Sequence, residues 1–191
     1  MISTRSTKLT AIVLAATMGL FTKVQTAQAG SETPTVAGGC FWCVEAIFQR
    51  VNGVKELKNG YCNGLTQNPS YEEICTGQTG HAEVLKVVYD ESEVSYESLL
   101  EVFIETHDPT SLNQQGADKG TQYRSAVFYT NDLQKQVATS VIGKVKGAVT
   151  EITELDVFYP AESYHQDYYN NNSNQPYCQM VILPKINKYF K

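Results

Sequence analysis

Phe41, Val44, Ile47, Phe48 and Val51 recur at helical spacing and predict a helix over residues 40–50, closed by Asn52-Gly53. Trp42, Glu45 and Gln49 fall on another face of it. A second helix starts at Ser95, carries Leu99, Leu100, Val102, Phe103 and Ile104, and is stopped by Pro109 after His107-Asp108. A third runs from Asn131-Asp132 to about residue 146, before Gly147. Residues 35–37, 54–62, 81–89, 123–130 and 152–158 read as strands; in 81–89, Ala82, Val84, Val87 and Val88 are interleaved with Glu83 and Lys86. Ser70-x-x-Glu73 has the spacing of a capping box for one short helical turn. The polar stretch 111–122 has no apolar period, and so long an irregular segment inside a compact domain points to function. From residue 171 the chain is Asn-rich and then apolar, and it is read as a mobile tail. Irregular alternation of strands and helices without an internal repeat predicts the α+β class: a single two-layer domain, with helices packed on one mixed β-sheet.

The first residues stand apart from this pattern. Arg5 and Lys8 precede a mostly apolar run, residues 9–21, and Ala27-Gln28-Ala29 is a small-x-small cleavage site. This predicts a secretory signal peptide over residues 1–29 and a mature domain over 30–191, secreted or periplasmic. The Ser and Thr residues of the first ten positions give a plastid transit peptide as the alternative. The apolar run is too short to span a bilayer comfortably, so no stable membrane anchor is expected. Cleavage would remove Arg5, Lys8 and Lys23 and no acid, taking the formal net charge from −5 to −8. An acidic domain without a basic cluster excludes nucleic acid as a partner class. A monomer is the default expectation.

Candidate chemistry concentrates in Gly38-Gly39-Cys40-Phe41-Trp42-Cys43-Val44-Glu45. Two glycines allow close approach of a ligand to the backbone, and Cys40 opens a helix, where unpaired amides favour a thiolate, the nucleophilic form. Five cysteines are present: Cys40, Cys43, Cys62, Cys75 and Cys178. The number is odd, so at least one stays unpaired or pairs in turn. A zinc site needs four suitably spaced ligands, and Cys178 has no near Cys or His partner in sequence. No metal, nucleotide or flavin motif appears, and no cofactor is expected.

Gly39-Cys40-Phe41-Trp42 resembles the active-site signature of the A-type peptide methionine sulfoxide reductases. Gly60-Tyr61-Cys62-Asn63-Gly64, Gly80-His81-Ala82-Glu83-Val84, His107-Asp108-Pro109-Thr110, Gly116-x-Asp118, Gly120-Thr121-Gln122-Tyr123-Arg124-Ser125, Phe158-Tyr159-Pro160-Ala161-Glu162 and Tyr164-His165-Gln166-Asp167-Tyr168 follow in the family's order. The resemblance covers nearly all of the mature domain. It implies a ferredoxin-like core and reduction of methionine S-sulfoxide, free or in proteins, as repair of oxidative damage. It also implies that Tyr61 and Tyr123 hydrogen-bond the sulfoxide oxygen, that Asp118 positions substrate or a water, and that Cys178 recycles the enzyme with thioredoxin or a thioredoxin-like reductant.

The residue types suit that chemistry. A sulfoxide oxygen leaves only when protonated, so the site needs a soft nucleophile, an acid and an apolar slot. Cys40 is assigned as the nucleophile, which becomes a sulfenic acid, and Glu45 as the acid, with a pKa raised by partial burial. Phe41 and Trp42 are assigned as walls for the methyl group. Many family members have Gly where this chain has Cys43, and Ala is usual where it has Cys62. Cys43 lies one helical turn from Cys40, so either Cys178 or Cys43 is the resolving thiol. Cys62 and Cys75 are read as spare thiols, and His81, His107 and His165 as structural hydrogen-bonders. Two other readings are a thiol–disulfide oxidoreductase using Cys40-x-x-Cys43 and a disulfide-stabilised binding module.

Overall fold

The structure, a computed structural model, describes residues 33–190. The signal peptide expected over residues 1–29 lies outside them. The first strand β1 (Thr35–Gly38) feeds helix α1 (Phe41–Phe48), then β2 (Val54–Cys62), the short α2 (Tyr71–Cys75), β3 (Ala82–Tyr89) and α3 (Tyr96–Thr106). A two-residue-stranded hairpin, β4 (Gln114–Gln115) and β5 (Asp118–Lys119), precedes β6 (Ser125–Tyr129), α4 (Asp132–Gly143), β7 (Glu151–Glu154) and β8 (Phe158–Pro160). The chain ends in α5 (Tyr168–Asn171), a π-helical turn at Cys178–Ile182 and α6 (Leu183–Tyr189). Ser70 closes a reciprocal capping box with Glu73, and Ser95 and Asn131 cap α3 and α4 with their side chains, at the positions read from sequence.

The six main strands lie in the order β7-β6-β1-β3-β2-β8. Only β6 and β7 are parallel; the other neighbours are antiparallel, which makes the sheet mixed. The units β1-α1-β2 and β3-α3-β6 give a central order β6-β1-β3-β2, the ferredoxin-like arrangement. Strand alternation sorts the side chains. Val36, Tyr61, Leu85, Val87 and Val127 face the helices, in one core with Phe41, Ile47, Phe48, Leu99, Phe103 and Ile182. Ala37, Cys62, Ala82, Val84, Ala126 and Phe128 make a second, smaller cluster, against which Leu155 and Phe158 pack. Among the described residues, no helix is long and apolar enough to cross a membrane.

Three expectations change. The predicted strand 152–158 is two strands, because β7 pairs with β6 at one edge while β8 crosses to pair with β2 at the other. The polar stretch 111–122 is built: the β4–β5 hairpin is followed by a 3-10 turn at Thr121–Tyr123. The tail read as mobile is packed helix instead. Cys178 and Ile182 are fully buried, and both belong to the core around α1. The polar Asn run suggested mobility, but the apolar residues behind it have a surface to cover.

Candidate active site

Cys40 is the N-cap residue of α1 and is 8% exposed. Its backbone path depends on Gly39, which has φ +85°; a Cβ there would meet Cβ of Gln115 at 2.6 Å. Gln115 in turn fastens the hairpin to the end of α3. Its amide N donates to the Asp108 carbonyl at 2.6 Å, and its amide O accepts the Asp108 N–H at 3.0 Å. The hairpin thereby holds Asp118 near Cys40. A cleft of about 310 Å³ opens beside the sulfur, lined also by Asp118, Tyr177 and Lys185.

The carboxyl group that meets the start of α1 is that of Glu83, not Glu45. Glu83 stands on β3 directly opposite Tyr61 of β2, is 1% exposed, and its carboxylate accepts the Phe41 N–H at 3.0 Å. Burial pushes its pKa up to about 8, with Asp118 and Cys43 adding to the rise against the Phe41 hydrogen bond. It is therefore a protonated, neutral donor at neutral pH. Glu45 is committed elsewhere: its two carboxylate oxygens accept the N–H groups of Asp167 and Tyr168, at 2.8 and 3.2 Å. It serves as an N-terminal cap for α5, whose own N-cap residue, Asp167, makes no side-chain cap. The whole face of α1 carrying Trp42, Glu45 and Gln49 docks on this segment: Gln49 bonds Asp167, and Trp42 stacks on Tyr168 with ring centroids 3.6 Å apart.

The remaining predicted residues divide between site and frame. Tyr61 is fully buried and donates its hydroxyl to Glu162 at 2.9 Å. Tyr123 lies within electrostatic reach of Glu83, Cys40 and Asp118, although burial is the main reason its hydroxyl stays protonated. Trp42 is half-buried, and its indole N–H donates to Nδ1 of His165 at 3.2 Å. Phe41 belongs to the core, 1% exposed, with its ring against Tyr61 and His165, so Trp42 is left as the accessible wall. His107 bridges the Phe103 carbonyl and the Ser125 hydroxyl, and burial lowers its pKa to about 4. Cys62 is buried in the second cluster, and Cys75 is exposed at the end of α2.

The thiolate expected on Cys40 alone is shared. Burial holds Cys40 well above an ordinary thiol, and Cys43 and Glu83 raise it further. Cys43 is drawn down to about 7, chiefly by the hydrogen bond from Cys40 and then by the Lys185 charge. Within the pair, negative charge is thus easier to place on Cys43 than on Cys40. Tyr177, the neighbour of Cys178 in sequence, completes the cluster: its hydroxyl donates to Asp118 at 2.7 Å and lies 3.6 Å from the Cys43 sulfur. Among the described residues, no group of three or more His, Cys, Asp and Glu side chains is placed to hold a metal ion.

A family model described as peptide methionine sulfoxide reductase matches residues 32–191. The chain belongs to this family. Peptide methionine sulfoxide reductase MsrA of Ruthia magnifica is 63% identical over 155 residues, covering 81% of this chain and 95% of the relative. The MsrA of Saccharolobus solfataricus is 49% identical over 165 residues, covering 84% and 93%. Among solved structures, reduced Mxr1 from Saccharomyces cerevisiae superposes with a TM-score of 0.73 at 34% identity, covering 77% of this chain and 88% of that one. Methionine sulfoxide reductase A of Corynebacterium diphtheriae gives 0.70 at 36% identity, covering 76% and 77%. Mxr1 has also been solved in complex with Trx2; that chain is 23% identical, with a TM-score of 0.51 over 72% of this chain and 84% of its own length. As a peptide methionine sulfoxide reductase, this chain catalyses thiol-dependent reduction of methionine sulfoxide to methionine, and the reading as a general thiol–disulfide oxidoreductase is set aside.

Proposed function

We propose that the enzyme reduces the S epimer of methionine sulfoxide, with Cys40 as nucleophile, Glu83 as acid and Cys43 as the first resolving thiol. The observation that carries this reading is the meeting of Cys40, Cys43 and the buried Glu83 carboxyl group at the start of α1, where Glu83 accepts the Phe41 N–H at 3.0 Å. The Cys43 sulfur takes the Cys40 proton, and the Cys40 sulfur attacks the sulfoxide sulfur. Glu83 gives its proton to the sulfoxide oxygen, with Tyr123 as a hydroxyl donor to the same oxygen, Tyr61 joining it only by giving up its hydrogen bond to Glu162, and Asp118 positioning the substrate. The S–O bond of the substrate breaks as oxygen passes to Cys40. Methionine leaves, and Cys40 remains as a sulfenic acid beside a Glu83 carboxylate.

Cys43 is preferred to Cys178 for the next step because it stands one turn from Cys40 in the same helix start, where its N–H bonds the Cys40 carbonyl at 3.0 Å, whereas Cys178 lies on the separate C-terminal segment. Attack of Cys43 on the sulfenic sulfur forms a disulfide and releases water. Cys178 follows Tyr177, which touches Cys43, so it is the next acceptor of the disulfide once its turn opens. A thioredoxin-type protein then restores the thiols, in keeping with the Mxr1–Trx2 complex. The Ala27-Gln28-Ala29 site supports work outside the cytosol, secreted or periplasmic.

Single-turnover assays on separated sulfoxide epimers, without reductant, test the assignment. One equivalent of methionine from the S epimer is expected for wild type, Cys43→Ser and Cys178→Ser, and none for Cys40→Ser. Product from the R epimer, or an undiminished burst in Glu83→Gln, would overturn it.

A further inference from the structure

Lys185 is set apart from the other described lysines by its place rather than by lack of an ion pair. Lys55 and Lys144 sit at the surface with carboxylate partners, Glu93 and Glu97. Lys185, on α6, is half-buried and lines two adjoining spaces at once: the cleft beside Cys40, and a smaller one bounded by Cys43, Val44 and His107. Among the described residues its ammonium makes no ion pair, although Glu105, Asp108 and Asp118 border the same cleft. A half-buried ammonium without a carboxylate next to two thiols is placed for a thiolate.

We propose that Lys185 is the positioning residue that holds Cys43 as a thiolate for its attack on the Cys40 sulfenic acid. This rests on the reading of Cys43 as the first resolving thiol. The groups that face Cys43 are Cys40 from its own element, Glu83 from β3, Asp118 from β5, His107 from the end of α3, and Tyr177, Cys178 and Lys185 from the C-terminal segment. Lys185 is the cation of this set, since His107 is neutral and the others are neutral or acidic. Its importance is specific to the second step. In the reduced pair the Cys40 thiol is the main support for charge on Cys43, and formation of the sulfenic acid consumes that thiol. The support left is the Lys185 charge and the Tyr177 hydroxyl. Cys43 then forms its bond to the Cys40 sulfur as the S–O bond breaks. Glu83, left as a carboxylate by the first step, takes the proton from Cys43 and gives it to the departing hydroxide, which becomes water.

The test uses the full mature chain, reduced, as wild type and as Lys185→Met, Lys185→Gln and Lys185→Arg. Each is mixed with one equivalent of methionine S-sulfoxide from pH 5.5 to 9.5, quenched in acid at intervals and alkylated. Mass spectrometry reads methionine released and the Cys40–Cys43 disulfide formed. Without the Lys185 charge the Cys43 thiolate is harder to form, so disulfide formation near neutral pH should slow several-fold in the Met and Gln variants. The difference should vanish above about pH 9, and Lys185→Arg should keep the wild-type profile. Unchanged profiles, or an equal loss at every pH in all three variants, would overturn the role of Lys185. Absence in wild type of any disulfide at Cys43, with Cys40 or passed on to Cys178, would overturn the parent reading, and the proposal with it.

Discussion

The carboxyl group of Glu83 accepts the backbone N–H of Phe41 at 3.0 Å, which ties an acid on a central strand to the residue that follows Cys40. The hydrogen bond fixes the acid and the helix start as one unit. Burial keeps that acid protonated to about pH 8.

Glu83→Gln should therefore lose catalysis and gain stability. General acid catalysis is worth about 10²–10⁴ in rate, so the methionine burst should slow by at least 10². The stability effect has a definite sign. Folded Glu83 holds its proton to about pH 8, whereas the unfolded carboxyl releases it near 4.3. Between these values the native state binds more protons, and this residue makes stability fall as pH rises, with no further loss above about 8. Denaturant midpoints at pH 5.5 and 8.5 should differ less in Glu83→Gln than in wild type, and the variant should be the more stable of the two at 8.5.

Glu45→Ala should do the opposite. It removes the acceptor for two backbone amides of α5, with an expected cost of about 1–3 kcal/mol in unfolding free energy. The pH dependence of the methionine burst should keep its wild-type shape, because the proton donor is intact. A lost alkaline limb in this variant would return Glu45 to the chemistry.

Gly39→Ala tests the approach of the hairpin to the nucleophile. The added methyl meets Gln115 at 2.6 Å, at a φ that other residues adopt with strain. A loss of about 1–3 kcal/mol is expected, together with a fall in the burst rate as Cys40 shifts. Thermal unfolding and single-turnover rates check both.

Gln115→Ala leaves Cys40 itself untouched but removes both hydrogen bonds that hold the hairpin to Asp108. Asp118 then loses its fixed place. KM should rise several-fold with a smaller change in kcat, measured with a methionine sulfoxide peptide.

The sequence carried most of the frame because its signals were local: caps at Ser70, Ser95 and Asn131, and the apolar period of α1. It misplaced the acid because helical spacing says which face a residue occupies and not what lies against that face. Glu45 seemed free to serve Cys40, yet residues 167 and 168, more than a hundred positions later, claim it. Strand phase held the missing signal, since Glu83 is in step with Leu85 and Val87, which face the helices. A charge in phase with buried apolar residues marks either a paired group or a functional one. The packing of Cys178 and the lone charge of Lys185 were not legible, because both depend on where the last helix docks.

Trp42 is the single tryptophan of the chain, and in sequence it stands between Cys40 and Cys43, the two thiols proposed to cycle. It stacks on Tyr168, meets Tyr177 edge-on at 5.9 Å, and donates its N–H to His165. Disulfides quench indole emission at short range, so the enzyme carries its own optical record of oxidation state. Formation of the first disulfide, its transfer toward Cys178 and its removal by a reductant should each change one unlabelled fluorescence signal. The progress of a whole redox cycle can then be followed in a single cuvette.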